Sequence, residues 1–220
     1  MELDFWHRRW QKNEIGFHES DGNILLKKYL EQWQLADNAR IFVPLCGKSK
    51  DIGWLLSKGY AVVAIELNES AVNALFEELG VAPKIESHGR LVKYSLENLT
   101  VYVGDFFALT AIDVGDIDGV FDRGALVALP EPIRNKYSEH LRMISSNSKQ
   151  FVITYDYDQA LFAGPPFSVT SETIHQAYQT HYHITQLYRG KIVGGFRAHD
   201  EVYEGVYLLL NKSSEGERCK

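Results

Sequence analysis

The sequence predicts an α/β protein built on a doubly wound, mostly parallel sheet. Short runs of almost wholly apolar residues recur along the chain, and stretches with helical spacing separate them. Such continuous apolar strands belong to a parallel sheet covered by helices on both faces. In the final third, two strand-like runs follow one another with no long helix between them, which points to an antiparallel hairpin at one sheet edge. The 220 residues fit one domain, long enough to bury a sizeable core without staples.

Each element has its own signal. The first segment, 4–12, carries Trp6 and Trp10 four residues apart, one above the other on a helix. A second helix is expected from Asn23 to Trp33, where Leu25, Leu26, Tyr29, Leu30 and Trp33 make an apolar stripe. Arg40 to Cys46 is the first strand-like run and ends at Gly47; a helix follows from about Asp51 to Lys58 and stops at Gly59. Tyr60 to Glu66 is the second strand, and the helix from Glu69 to Leu79 closes at Gly80. Leu99–Val103 and Gly119–Asp122 are the third and fourth strands. A helix from Glu131 to Ile144 leads to the fifth, Gln150–Tyr155. The edge hairpin falls between Tyr182 and Asn211, and residues 213–220 read as a polar tail.

Composition narrows the function. Hydrophobic residues make up 45% of the chain and charged residues 24%, a globular balance. The formal net charge of -6, without any Lys/Arg run, argues against a nucleic-acid partner. Of the two cysteines, Cys46 lies at a strand end and Cys219 in the tail, so neither a disulfide framework nor a metal spacing can be built. No window approaches the roughly 20 apolar residues of a membrane span, and the acidic, Trp-rich start is unlike a targeting segment. A reducing cytoplasm is expected.

In open α/β sheets, ligands sit beyond the carboxyl ends of the strands. The rule selects residues 44–49, Glu66, residues 104–107 and residues 122–126. Gly47-Lys48-Ser49 resembles the end of a phosphate-binding loop, but Phe42 stands where that motif needs its first glycine. The dinucleotide Gly-x-Gly-x-x-Gly fingerprint is absent too, which weighs against an NAD-dependent dehydrogenase. Glu66 ends the second strand about 20 residues after the glycine loop, where a carboxylate accepts from both ribose hydroxyls of an adenosine; the plain alternative is a solvated strand-end acid. Asp105 either receives an adenine amino group beside Phe106 and Phe107 or caps a helix. Asp122 and Arg123 either pair with each other or leave Arg123 to hold a ligand carboxylate. Trp6, Trp10 and Phe17 are core aromatics or the roof of a pocket. His18 reads as a structural histidine and Cys46 as a small apolar residue. Gly164-Pro-Pro-Phe167 is a stiff turn that would carry Phe167 over the pocket.

Taken together these stretches resemble the thiopurine S-methyltransferase family. The carriers are Phe5-Trp-x-x-x-Trp10, Gly16-Phe-His18, Val43-Pro-Leu-Cys-Gly-Lys-Ser49 with Asp51, Ala64-Ile-Glu66, Gly104-Asp-Phe-Phe107, Asp122-Arg-Gly-Ala-Leu-Val-Ala-Leu-Pro130 and Gly164-Pro-Pro-Phe167. The resemblance implies a class I, Rossmann-like methyltransferase domain over 1–220, with a seven-stranded sheet in a core at 36–212 and an N-terminal helical cap at 1–35. It implies S-adenosyl-L-methionine as cofactor, contacted by Trp10, Leu45, Glu66, Asp105, Phe106 and Arg123, with Glu66 on the ribose, the Leu45 loop along the methionine portion and Asp105-Phe106 at the adenine. Trp6, Phe17 and Phe167 would bind the acceptor, a small aromatic or heterocyclic thiol. Arg123 would position cofactor and acceptor, with no clear general base and no metal. The family reading implies a monomer. Relatives associated with selenium or tellurium detoxification leave those species open as acceptors.

Overall fold

A computed structural model of the chain describes residues 3–12, 14, 19, 21–192, 196–197 and 199–212, with side chains from Phe5 onward. Phe17, His18 and the tail at 213–220 lie outside the described residues. The chain divides into two compact units, residues 1–119 and 120–220.

The first unit begins with α1 (Leu3–Gln11) and α2 (Ile24–Tyr29), which tightens into a 3-10 turn at Leu30–Trp33. Asn23 starts α2 because its side chain accepts from the N–H groups of Leu25 and Leu26. Next come β1 (Arg40–Val43), α3 (Lys50–Ser57), β2 (Ala61–Glu66) and α4 (Glu69–Leu79), which ends on left-handed Gly80. An antiparallel hairpin, β3 (Lys84–His88) and β4 (Leu91–Ser95), precedes β5 (Leu99–Val103), a 3-10 turn at Phe106–Ala108 and the short α5 (Ala111–Val114). Strands β1, β2 and β5 are parallel, with Val43 opposite Ala64 and Glu66 opposite Val103. That register brings the carboxyl ends of β2 and β5 side by side. Trp33, Phe42, Ile52 and Leu55 are fully buried. Trp33 lies so close to Gly119 that a Cβ there would meet its ring at 2.6 Å.

The second unit starts within β6 (Gly119–Arg123) and continues through a 3-10 turn at Leu126–Ala128, α6 (Glu131–Ile144), β7 (Lys149–Asp156) and α7 (Ser171–Tyr178). It closes with β8 (Tyr182–Lys191) and β9 (Tyr203–Asn211), the expected antiparallel hairpin, with β9 also antiparallel to β7. Phe121, Tyr137, Phe151, Tyr178 and Tyr207 fill its core.

The expected count of seven strands is corrected to nine among the described residues. Their order is β3-β4-β5-β2-β1 in the first unit and β6-β7-β9-β8 in the second. The two additional strands are β3 and β4. Residues 84–87 of β3 are exposed, so the strand holds no apolar run of the kind that marked the others. No helix among the described residues is long and apolar enough to cross a membrane, and no group of His, Cys, Asp and Glu among them could hold a metal ion.

Candidate functional site

Within the first unit the candidate residues gather around the end of β2. After β1 the chain turns through Leu45 and Gly47, both left-handed at φ +46° and +54°. For a leucine that conformation costs about 1–2 kcal/mol and persists only where the surroundings impose it. Here the Cys46 N–H donates to the Ile65 carbonyl at 2.9 Å, tying the loop to β2. Lys48 and Lys50 both reach the Glu78 carboxylate on α4, at 2.9 and 2.6 Å, and hold its pKa down at about 2. Ser49 caps α3, and the buried Asp51 accepts from the Ser49 hydroxyl and, at 2.6 Å, from the Asn23 N–H. The turn after β1 is thus braced from α2, β2 and α4.

Glu66 is 6% exposed. One carboxylate oxygen accepts from the Gly47 N–H at 2.8 Å and the other from the Asn68 N–H at 2.9 Å. Burial pushes its pKa up, and the backbone donors oppose that shift. A carboxylate offers about four lone-pair sites, so accepting capacity remains beside the backbone donors Gly47, Asn68 and Leu67. The backbone oxygen of Glu66 accepts from the Gly104 N–H at 2.9 Å, which locks the end of β5 beside it. Gly104 has φ +142°, and a Cβ there would lie 2.6 Å from Leu91 Cδ2, so only glycine fits. Next in the chain, Asp105 accepts from the Phe107 N–H at 3.0 Å, capping the 3-10 turn. Phe106 is buried, and its ring meets that of Phe107 edge-on at 5.4 Å. The solvated-acid alternative for Glu66 therefore fails, while Asp105 does perform the capping that sequence reasoning held open.

Trp6 and Trp10 lie half-buried on α1, with Phe5 packed edge-on against Trp6 at 5.3 Å. Phe17 is outside the described residues.

The second unit holds Arg123 and Phe167. Arg123 ends β6, half-buried. Asp122 is wholly buried, with one oxygen accepting from the Tyr137 hydroxyl at 2.6 Å and the other from the Leu126 N–H at 3.0 Å. Desolvation raises its pKa to about 6 against these bonds. Phe167 donates its N–H to the Val127 carbonyl at 2.6 Å, anchoring the proline turn to the segment after Arg123. Its ring folds back over Gly164, where a Cβ would be 2.7 Å away.

Sequence reasoning missed the aromatic bank around this turn. Tyr157 and Phe162 stack at 4.2 Å, Phe162 lies 5.7 Å from Phe196, and the Arg197 guanidinium stands 5.0 Å over Phe162. Arg197 donates to the Pro165 carbonyl at 2.8 Å and the Tyr157 hydroxyl to the Pro166 carbonyl at 2.6 Å. Phe162, two residues before Gly164, was the available signal; Phe196 and Arg197 gave none.

Comparisons with known proteins agree with one another. The family model described as Thiopurine S-methyltransferase (TPMT) matches residues 1–212. A Thiopurine S-methyltransferase of Xanthobacter autotrophicus is 43% identical over 210 residues, covering 95% of this chain and 99% of that protein. One from Acinetobacter baylyi is 46% identical over 191 residues, covering 85% and 88%. Among solved structures, the 1,6-didemethyltoxoflavin-N1-methyltransferase of Burkholderia thailandensis, with bound S-adenosylhomocysteine, is similar at TM-score 0.64 and 12% identity, covering 96% of this chain and 87% of that one. A SAM-dependent methyltransferase of Anabaena variabilis is similar at TM-score 0.64 and 13% identity, covering 96% and 95%. At such identities the likeness establishes the fold, the class I Rossmann-like methyltransferase architecture.

Proposed function

Since the chain belongs to the thiopurine S-methyltransferase family, we propose that it transfers the methyl group of S-adenosyl-L-methionine to the sulfur of small aromatic and heterocyclic thiols of the thiopurine kind. The observation that carries the cofactor assignment is Glu66: a buried strand-end carboxylate, oriented by backbone N–H groups and with accepting capacity left over. Two adjacent ribose hydroxyls are donors that such a carboxylate satisfies at once.

When bound, the cofactor supplies a methyl group already activated by its positive sulfur. The chain's task is alignment, because the thiolate must approach that carbon in line from about 3 Å. In this reading the Leu45 loop would hold the methionine portion, and Asp105 and Phe106 would hold the adenine. Trp10 would cover the cofactor, and Trp6, Phe17 and Phe167 are the residues proposed to bind the flat acceptor ring. Arg123 favours an anionic acceptor through its fixed charge. A heteroaromatic thiol is substantially ionised near neutral pH, so the reaction runs without a dedicated general base. We take the protein to work as a monomer in the cytoplasm; light scattering checks the oligomeric state and cell fractionation the compartment.

The test is turnover of labelled S-adenosyl-L-methionine with mercaptopurine or a thiophenol. Label on the acceptor's sulfur is expected; absence of transfer to either thiol would overturn the proposal. In Arg123→Ala the KM for a carboxylated thiophenol should rise more than that for thiophenol itself, and equal effects on both would remove Arg123 from the acceptor's side.

A further inference from the structure

Asn68 joins three parts of the first unit. Its Oδ1 accepts from the N–H groups of Ser70 and Ala71 at 2.9 and 3.3 Å and from the Ser70 hydroxyl at 2.6 Å, which caps α4. Its own N–H donates to Glu66. These bonds settle which way the amide faces. With Oδ1 turned to the helix, Nδ2 is the atom 3.2 Å from Nδ1 of His7. An amide nitrogen only donates, so in this bond His7 Nδ1 is the acceptor.

His7 follows Trp6 on α1 and precedes Trp10 by three residues, a spacing that puts it on the same side of the helix as Trp10. A helix of 9 residues is too short to hold itself together in water. Phe5, Trp6, His7, Arg9 and Trp10 are each only half-buried. The seating of α1 therefore depends on individual side-chain contacts, and this one ends two residues from the candidate ribose carboxylate.

We propose that His7 is a positioning residue for the cofactor: its bond to Asn68 seats α1, with Trp6 and Trp10, next to Glu66 and slows release of the bound nucleoside. The inference rests on Glu66 being the ribose acceptor.

The experiment measures S-adenosylhomocysteine dissociation by stopped flow and its affinity by calorimetry, together with KM and kcat for the methyl donor, in the full chain. In His7→Ala, loss of one neutral hydrogen bond should speed dissociation by about twofold to tenfold and raise the cofactor's KM more than it lowers kcat. His7→Gln, whose amide oxygen accepts from the same Nδ2, should return the rate to within about twofold of wild type by keeping that bond. Wild-type dissociation in His7→Ala, or a Gln variant no better than Ala at equal thermal midpoint, would overturn the proposal. Glu66→Ala separates the two claims. Wild-type affinity in that variant sinks the ribose reading itself, whereas weakened binding there with unchanged dissociation in His7→Ala sinks only the role of His7.

Discussion

Two buried acids stand at carboxyl ends of strands in this molecule, Glu66 as the last residue of β2 and Asp122 as the last but one of β6. Both have pKa values raised by desolvation. They differ in who satisfies them. Glu66 takes backbone N–H groups from the loops on either side of it. Asp122 is sealed by the Tyr137 hydroxyl from α6 and by the turn that follows its own strand. A carboxylate held by loop backbone is the arrangement proposed here for a ligand acceptor; one bonded by a core side chain braces the structure. Burial and a perturbed pKa alone do not distinguish the two, but the identity of the partners does.

The largest effect expected from this contrast is on stability against pH. The folded pKa of Asp122, about 6, lies above the ordinary 3.8. Its contribution is therefore fully present below that ordinary value and is lost as pH rises through about 6, a fall of about 3 kcal/mol. Urea unfolding of Asp122→Asn between pH 4 and 7 should show that slope removed, whatever the absolute level; an unchanged slope would mean Asp122 is not the titrating brace. Glu66→Ala comes next. It should weaken S-adenosylhomocysteine binding by roughly 1.5–3 kcal/mol, the worth of hydrogen bonds to a charged group. If the midpoint falls and binding holds, the roles of the two acids are reversed. Tyr137→Phe should cost about 1–2 kcal/mol of stability by removing a donor from a buried charge and leave cofactor affinity alone. The smallest effect belongs to Glu78, whose pKa of about 2 means its contribution is present above the ordinary 4.5 and lost as pH falls through about 2. Because that pair of lysine contacts is partly solvated, Glu78→Gln should cost only about 0.5–1 kcal/mol at neutral pH, and 1 M salt should abolish the difference.

The strands of the parallel ladder were legible because burial on both faces leaves a nearly uninterrupted apolar run, as in Val62-Val63-Ala64-Ile65. The helix bounded by Asn23 and Trp33 was legible from its stripe, and the structure adds only that its last turn tightens. The hairpin of β3 and β4 was not, since solvent takes one strand's side chains and its pairing is all backbone. Glu66 could be found by its distance from the glycine loop. The left-handed Leu45 could not, because nothing in a leucine announces positive φ. Contacts such as His7 with Asn68, 61 residues apart, or Arg197 with Pro165, 32 apart, follow from the folded path alone. The same holds for the partner of Asp122, which periodicity placed on a helix without saying which way its hydroxyl points.

The ring of Trp33 pressed against Gly119 makes this indole a built-in optical reporter. It is wholly shielded, whereas Trp6, Trp10 and Trp54 are each half-buried. A variant with those three replaced by phenylalanine would emit from one site, at short wavelength while the first unit is intact. Its red shift would time the loss of that unit's interior separately from any event at the N-terminal helix.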